Sequence, residues 1–168
     1  GRSALEANTT ASNNTAVGHA SLLDNTTGAL NTALGAYALQ NNTTGEHNTA
    51  IGQGTLEQVT TGSYNTAVGR GCLQVNTASY NTAIGKDALS VNTTGERNTA
   101  LGYGTLVANT TGIRNTVIGS DGMYTNTTGG YNIALGYAAL AVNTTASNNT
   151  AVGSLALSDN TTGANNTA

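Results

Sequence analysis

The chain has 168 residues, a net charge of −3 and only 8% charged residues, with no Pro, Phe or Trp and a single cysteine. This balance offers no basic footprint for nucleic acid. No apolar run approaches the ~20 residues of a membrane-crossing helix, and no signal peptide opens at Gly1. Asn and Thr fill about a third of the positions. Disordered chains are instead rich in charge and Pro, and the regular spacing of Val, Ile, Leu and Gly argues for order.

One phrase recurs through the chain. Asn14-Thr-Ala-Val-Gly18 returns at Asn31, Asn48, Asn65, Asn81, Asn98, Asn115, Asn132 and Asn149, and breaks off at Asn166. The unit is 17 residues long, with one single-residue deletion near Ala78. A fixed period of this kind marks a stacked repeat architecture. Residues 1–168 are expected to form a single repeat domain that begins and ends mid-repeat, as a segment of a longer fibre. The unit reads N-T-A-[VIL]-G-x-x-a-L-x-x-N-T-T-G-x-x, where a is a small residue.

Taken in order along the unit, positions 2 to 4 alternate and predict a short strand. Position 4 is always branched aliphatic: Val17, Leu34, Ile51, Val68, Ile84, Leu101, Ile118, Leu135 and Val152. Position 2 is Thr, exchanged once for Ile133. Positions 2 and 4 are therefore expected to point inward, with the Ala of position 3 outward. The Gly of position 5 never varies, which predicts positive φ or close backbone approach at a corner. The Gly of position 15 is expected to do the same, less strictly, since Ala146 also occurs there. Position 8 is small, and Cys72 falls in it among Ala, Ser, Thr and Gly, as a small buried or half-buried residue. Position 9 is Leu22, Leu39, Leu56, Leu73, Leu89, Leu106, Met123, Leu140 and Leu157, the second expected core column. The Asn of position 12, replaced once by Val59, is expected to stack as an amide ladder.

Every Lys, Arg, Asp, Glu, His and Tyr falls in positions 6, 7, 10, 11, 16 or 17, so those columns are expected to face solvent or a partner. No unit offers the 8–20 capped residues of a helix, and helical repeats run to 33 residues or more. The expected fold is an all-β parallel β-solenoid or β-roll of nine to ten stacked rungs. One coil alone buries too little to fold, so stability must come from stacking. Two devices would enlarge the thin core: three chains wound on one axis, or end-to-end addition through uncapped edges.

The stretch NTALGAYALQNNTTGEHNTAIG, from Asn31 to Gly52, resembles the NTAxGxxAL…NTTG repeats of phage tail-fibre and bacterial surface-fibre proteins. The N-T-A-[VIL]-G phrase is also similar to the repeat of trimeric autotransporter adhesin heads. The resemblance implies a non-catalytic fibre, often homotrimeric, that is extracellular, on a cell surface or on a virion, and serves attachment. Dense Asn-x-Thr sequons, among them Asn8, Asn25, Asn42, Asn92, Asn109, Asn126, Asn143 and Asn160, agree with a bacterial or viral source, because stacked coils would not accommodate glycans.

No enzyme is expected. The acids Glu6, Asp24, Glu46, Glu57, Asp87, Glu96, Asp121 and Asp159 scatter over four columns, whereas a glycosidase needs a fixed carboxyl pair. His19 and His47 fall in different columns and form no metal set; no cofactor is implied. One stripe, position 17, aligns His47, Tyr64, Tyr80, Arg97, Arg114 and Tyr131 along the rod, a candidate surface for a glycan or partner. Three functions compete: a fibre shaft or adhesin segment, an end-to-end self-assembling filament, and an ice-binding solenoid built on the unvarying Thr of position 13.

Overall fold

The computed structural model describes all 168 residues and is built from strands and turns alone. Nine three-residue strands follow in chain order: β1 (Thr15–Val17), β2 (Thr32–Leu34), β3 (Thr49–Ile51), β4 (Thr66–Val68), β5 (Thr82–Ile84), β6 (Thr99–Leu101), β7 (Thr116–Ile118), β8 (Ile133–Leu135) and β9 (Thr150–Val152). They form one parallel sheet in sequence order. Like pairs with like: Thr32 with Thr49, Ala33 with Ala50, Leu34 with Ile51. A bridge from Thr150 to Thr167 begins the next rung. The chain is thus the expected parallel β-solenoid, one unit to a circuit. The coils stay joined outside the strands too. The Leu39 amide donates to the Thr55 carbonyl at 3.0 Å, Tyr37 to His19 at 2.9 Å and Thr43 to Thr60 at 2.9 Å. Backbone ladders therefore run round the perimeter, and three residues of strand per coil suffice.

Corners decide which residues each column accepts. In the second unit Tyr37, Leu39 and His47 have φ of 62°, 51° and 56°, and the same three positions are left-handed in the other units wherever they are not Gly. A β-branched side chain is strained in that region, and none occurs at these positions in any unit. This is why position 9 takes Leu or Met while the strand row takes Val, Ile or Leu. The Gly of position 5 has φ between +128° and +142°, and a Cβ on Gly52 would lie 2.7 Å from the Gly69 carbonyl oxygen. The Gly of position 15 meets that expectation by close approach alone: its φ is not positive, and a Cβ on Gly28 would run into the Gly45 carbonyl oxygen of the next coil. There the constraint is crowding, since a Cβ on Gly28 would lie 2.7 Å from Asn25 Oδ1.

Inside, the leucine column is where the sequence places it. Leu22, Leu39, Leu56, Leu73, Leu89, Leu106, Met123 and Leu140 are fully buried, and Leu157 packs on them, partly buried, near the end. The strand row is a correction. The alternation holds with the opposite phase: Ala33, Ala50, Ala67, Ala83, Ala100, Val117, Ala134 and Ala151 are fully buried. Val17, Leu34, Ile84, Leu101, Ile118 and Val152 stand exposed on the outer face, up to 58% at Val152, and Ile51, Val68 and Leu135 are half-buried there. The interior behind the sheet is shared by the leucine column and two asparagine columns, which leave room for a methyl group. One coil shows the limit directly. Where Val117 replaces Ala, the facing position 8 is Gly122, whose missing Cβ would sit 2.6 Å from Val117 Cγ1.

Two amide ladders complete the core. At position 12, Asn109 Nδ2 donates to Asn92 Oδ1 at 2.8 Å and to the Gly112 carbonyl at 3.0 Å, and Asn126 repeats the pattern on Asn109 and Gly129. Position 1 forms a second ladder that the sequence reading did not foresee: the Asn98 amide donates to Asn81 Oδ1 at 2.9 Å, and Asn98 Nδ2 to the Gly112 carbonyl at 2.8 Å. Val59 interrupts the first ladder and leaves Asn42 Oδ1 as a buried acceptor without a partner. The deletion near Ala78 is absorbed at this corner, where Asn76 Nδ2 and Asn65 Nδ2 both donate to the Ala78 carbonyl, at 2.8 and 2.9 Å. Strand register across it is kept, Thr66 with Thr82.

Candidate functional site

Three surfaces of the rod carry side chains that the fold does not consume. The first is the outer face of the sheet. It presents a threonine row, with Ile133 in it, beside the aliphatic row from Val17 to Val152, and no charged residue lies in either row. Eight steps of ~4.8 Å make the aliphatic row about 38 Å long. Nothing in the chain covers it.

The second surface is the stripe at position 17. The structure brings its members together as two stacked runs, His47 to Arg97 and Arg114 with Tyr131. His47 and Tyr64 lie parallel with ring centroids 4.8 Å apart, and Tyr64 and Tyr80 follow at 5.2 Å. The Arg97 guanidinium lies 5.4 Å from the Tyr80 ring, and Arg114 lies 5.4 Å from Tyr131 while donating to its hydroxyl at 3.2 Å. Left-handed φ at each residue, such as 59° at Tyr64 and 58° at Arg97, projects the side chains from the corner in register. Stacking has a consequence for chemistry. The ring faces within these runs lie against one another or under Arg, so the stripe shows solvent mainly ring edges and guanidinium groups. Such pairs contribute ~0.5–1.5 kcal/mol each, which makes the ladder a brace along one corner.

The third surface is the corner formed by positions 6, 7 and 10, which holds the other four tyrosines. It carries two hollows. One, about 240 Å³, is floored by Gly54 and Gly71 and lined by Gln53, Glu57, Arg70 and Gln74. The other, about 400 Å³, is lined by Tyr103, Asp121, Tyr124, Thr125 and Tyr137. The sequence signal for this corner was available: Tyr103 and Tyr137 occupy the same column two units apart, with Ser120 between them.

The position-13 threonines donate their hydroxyls along the axis, Thr26 to the Thr43 carbonyl at 3.0 Å and Thr93 to Thr110 at 2.9 Å. The Asn side chains of the sequons at Asn25, Asn42, Asn92, Asn109, Asn126 and Asn143 are fully buried, so the folded rod offers none of these amides for modification. No three His, Cys, Asp or Glu side chains come together. Cys72 is buried, its Sγ 3.1 Å from the Ala83 carbonyl, and desolvation by burial pushes its pKa up to about 12. No helix is long and apolar enough to cross a membrane. Comparison with protein-family models, with curated proteins and with solved structures returns no match.

Proposed function

We propose that the chain is a non-catalytic rod segment of an extracellular or virion-borne fibre, in which copies pack side by side through the outer face of the sheet. The observation that carries this reading is the uncovered aliphatic row on that face. Monomeric soluble proteins rarely expose long contiguous apolar patches, and a column of Val, Ile and Leu in nine successive coils is costly to leave in water. The row adds little to the core of one coil stack, so its service is to another surface of the same shape. Three rods meeting on this face are the arrangement that the resemblance to trimeric adhesin heads implies. Side-by-side packing is favoured over end-to-end growth because the uncovered row runs along the rod, whereas an end contact would leave it wet. The role in attachment rests on the resemblance to surface and tail fibres.

The test is the mass of the purified chain by light scattering during size-exclusion chromatography. A discrete oligomer is expected, and Ile84→Lys with Ile118→Lys should reduce it to single copies with an unchanged circular dichroism spectrum. A wild-type chain that stays single at every concentration contradicts the reading, as does an oligomer indifferent to both substitutions.

A further inference from the structure

The geometry points to a neutral saccharide site in the hollow between Tyr103 and Tyr137, where one sugar ring takes the place of an aromatic rung that the sequence leaves out. Where aromatic residues occupy one column in adjacent coils, their rings stack at about one coil step, 4.8 and 5.2 Å at position 17. Tyr103 and Tyr137 share position 6 but stand two coils apart, with the small Ser120 on the coil between. Two steps are ~9.6 Å. That is the width in which Tyr64 stands between His47 and Tyr80 at position 17, so the gap admits one ring. A flat ring in contact at ~3.5–4.0 Å per side needs only ~7–8 Å; a puckered saturated ring, with C–H bonds on both faces, is thicker and fills the gap more closely.

The rest of the hollow agrees with that guest. Lys86, in the preceding coil, sits over the Tyr103 ring at 5.2 Å and occupies that side of it, leaving the side toward Ser120 open. Gly104, with φ +62°, makes room for Asp121, whose Oδ1 would lie 2.9 Å from a Cβ there, and Tyr124 Cε2 stands beside it at 3.6 Å. Tyr124 and Asp121 thus close the inner side of the hollow. The Ser120 hydroxyl donates to Asp121 Oδ2 at 2.9 Å, which orients the carboxylate and leaves Oδ1 to accept from a sugar hydroxyl. Asp121 is the one charged side chain lining the hollow, so an anionic guest is repelled and a neutral one is favoured. The volume, about 400 Å³, lies within the range of small-ligand sites. This inference is independent of side-by-side packing, because the hollow lies at the corner and not on the sheet face.

The experiment titrates the full chain with maltotetraose, cellotetraose and chitotetraose, and with the anionic colominic acid as a control. Binding is read by saturation-transfer NMR and calorimetry. At least one neutral tetrasaccharide is expected to bind with signal transferred chiefly to C–H protons, and the anionic polymer is not. Ser120→Tyr fills the empty rung with a residue that the same column already carries on both sides; it should abolish binding while leaving the circular dichroism spectrum and the oligomeric state unchanged. Tyr137→Ala, which removes one wall, should weaken binding at least tenfold. Failure of all three neutral probes at millimolar concentration overturns the proposal, and so does undiminished binding by Ser120→Tyr.

Discussion

Two aliphatic columns run the length of the rod, and they differ in almost everything except composition. The leucine column lies in left-handed backbone, faces inward and is fully buried from Leu22 to Leu140. The strand row from Val17 to Val152 lies in extended backbone on the outer face and remains largely in water. The first is fixed by packing and by backbone geometry together, which is why it admits Met123 but never Val or Ile. The second is fixed only by strand propensity and by whatever covers the face, and it drifts freely among Val, Ile and Leu. Variation within a column therefore reports backbone conformation before it reports burial.

The sharpest way to break this comparison is to exchange residues in opposite directions. Leu106→Ile places a branched Cβ in left-handed backbone inside a filled core, and should cost about 2–4 kcal/mol. Ile118→Leu on the outer face should stay within ~0.5 kcal/mol. Denaturant melts of both read the difference, and equal costs would erase the distinction. Next comes the paired exchange in the seventh coil. Gly122→Ala alone should destabilise by about 1–3 kcal/mol, because its methyl meets Val117. Combined with Val117→Ala it should recover most of that loss, and the coupling in the double-mutant cycle is the measured quantity. A smaller gain is expected from Val59→Asn, which supplies the donor that Asn42 Oδ1 lacks. Mending the ladder should stabilise the rod by ~1 kcal/mol, net of the lost valine burial. The last effect vanishes at neutral pH and is confined to alkaline pH. Burial raises the Cys72 pKa from 9.0 to about 12, so the folded chain holds that proton where the unfolded chain has released it. Stability should be unaffected below pH 9 and fall as pH rises from 9 toward 12. Cys72→Ala should lack this component of the slope, and the thiol should resist alkylation at neutral pH at any rate faster than unfolding.

The period, the one-coil unit, the leucine column and the position-12 amide ladder were legible in the sequence, because each is a property of stacking like on like. The facing of the strand was not. Large aliphatics are expected inside, and Ile133 in the threonine row looked like evidence of an apolar interior, whereas it is exposed on the same outer face. The signal that would have corrected this lay in a single coil. Val117 enlarges position 3 where Gly122 shrinks position 8, and two columns that trade volume must touch. The absence of β-branched residues at positions 7, 9 and 17 likewise encoded the three left-handed corners. The aromatic stripe was legible as an alignment, but not as stacked rings, because sequence spacing says nothing of ring orientation. The hollow at Tyr103 and Tyr137 leaves a fainter trace in the sequence, because its meaning lies in the rung that is empty.

The most direct test of the account is thiol labelling of Ile84→Cys and Leu89→Cys, five residues apart in one unit, each in a Cys72→Ala background with a water-soluble maleimide. The outer-face thiol is predicted to label rapidly at low protein concentration and more slowly as copies associate. The leucine-column thiol is predicted to label only at the unfolding rate, whatever the concentration. Free labelling at position 89 with lasting protection at position 84, or equal rates at both, would contradict it.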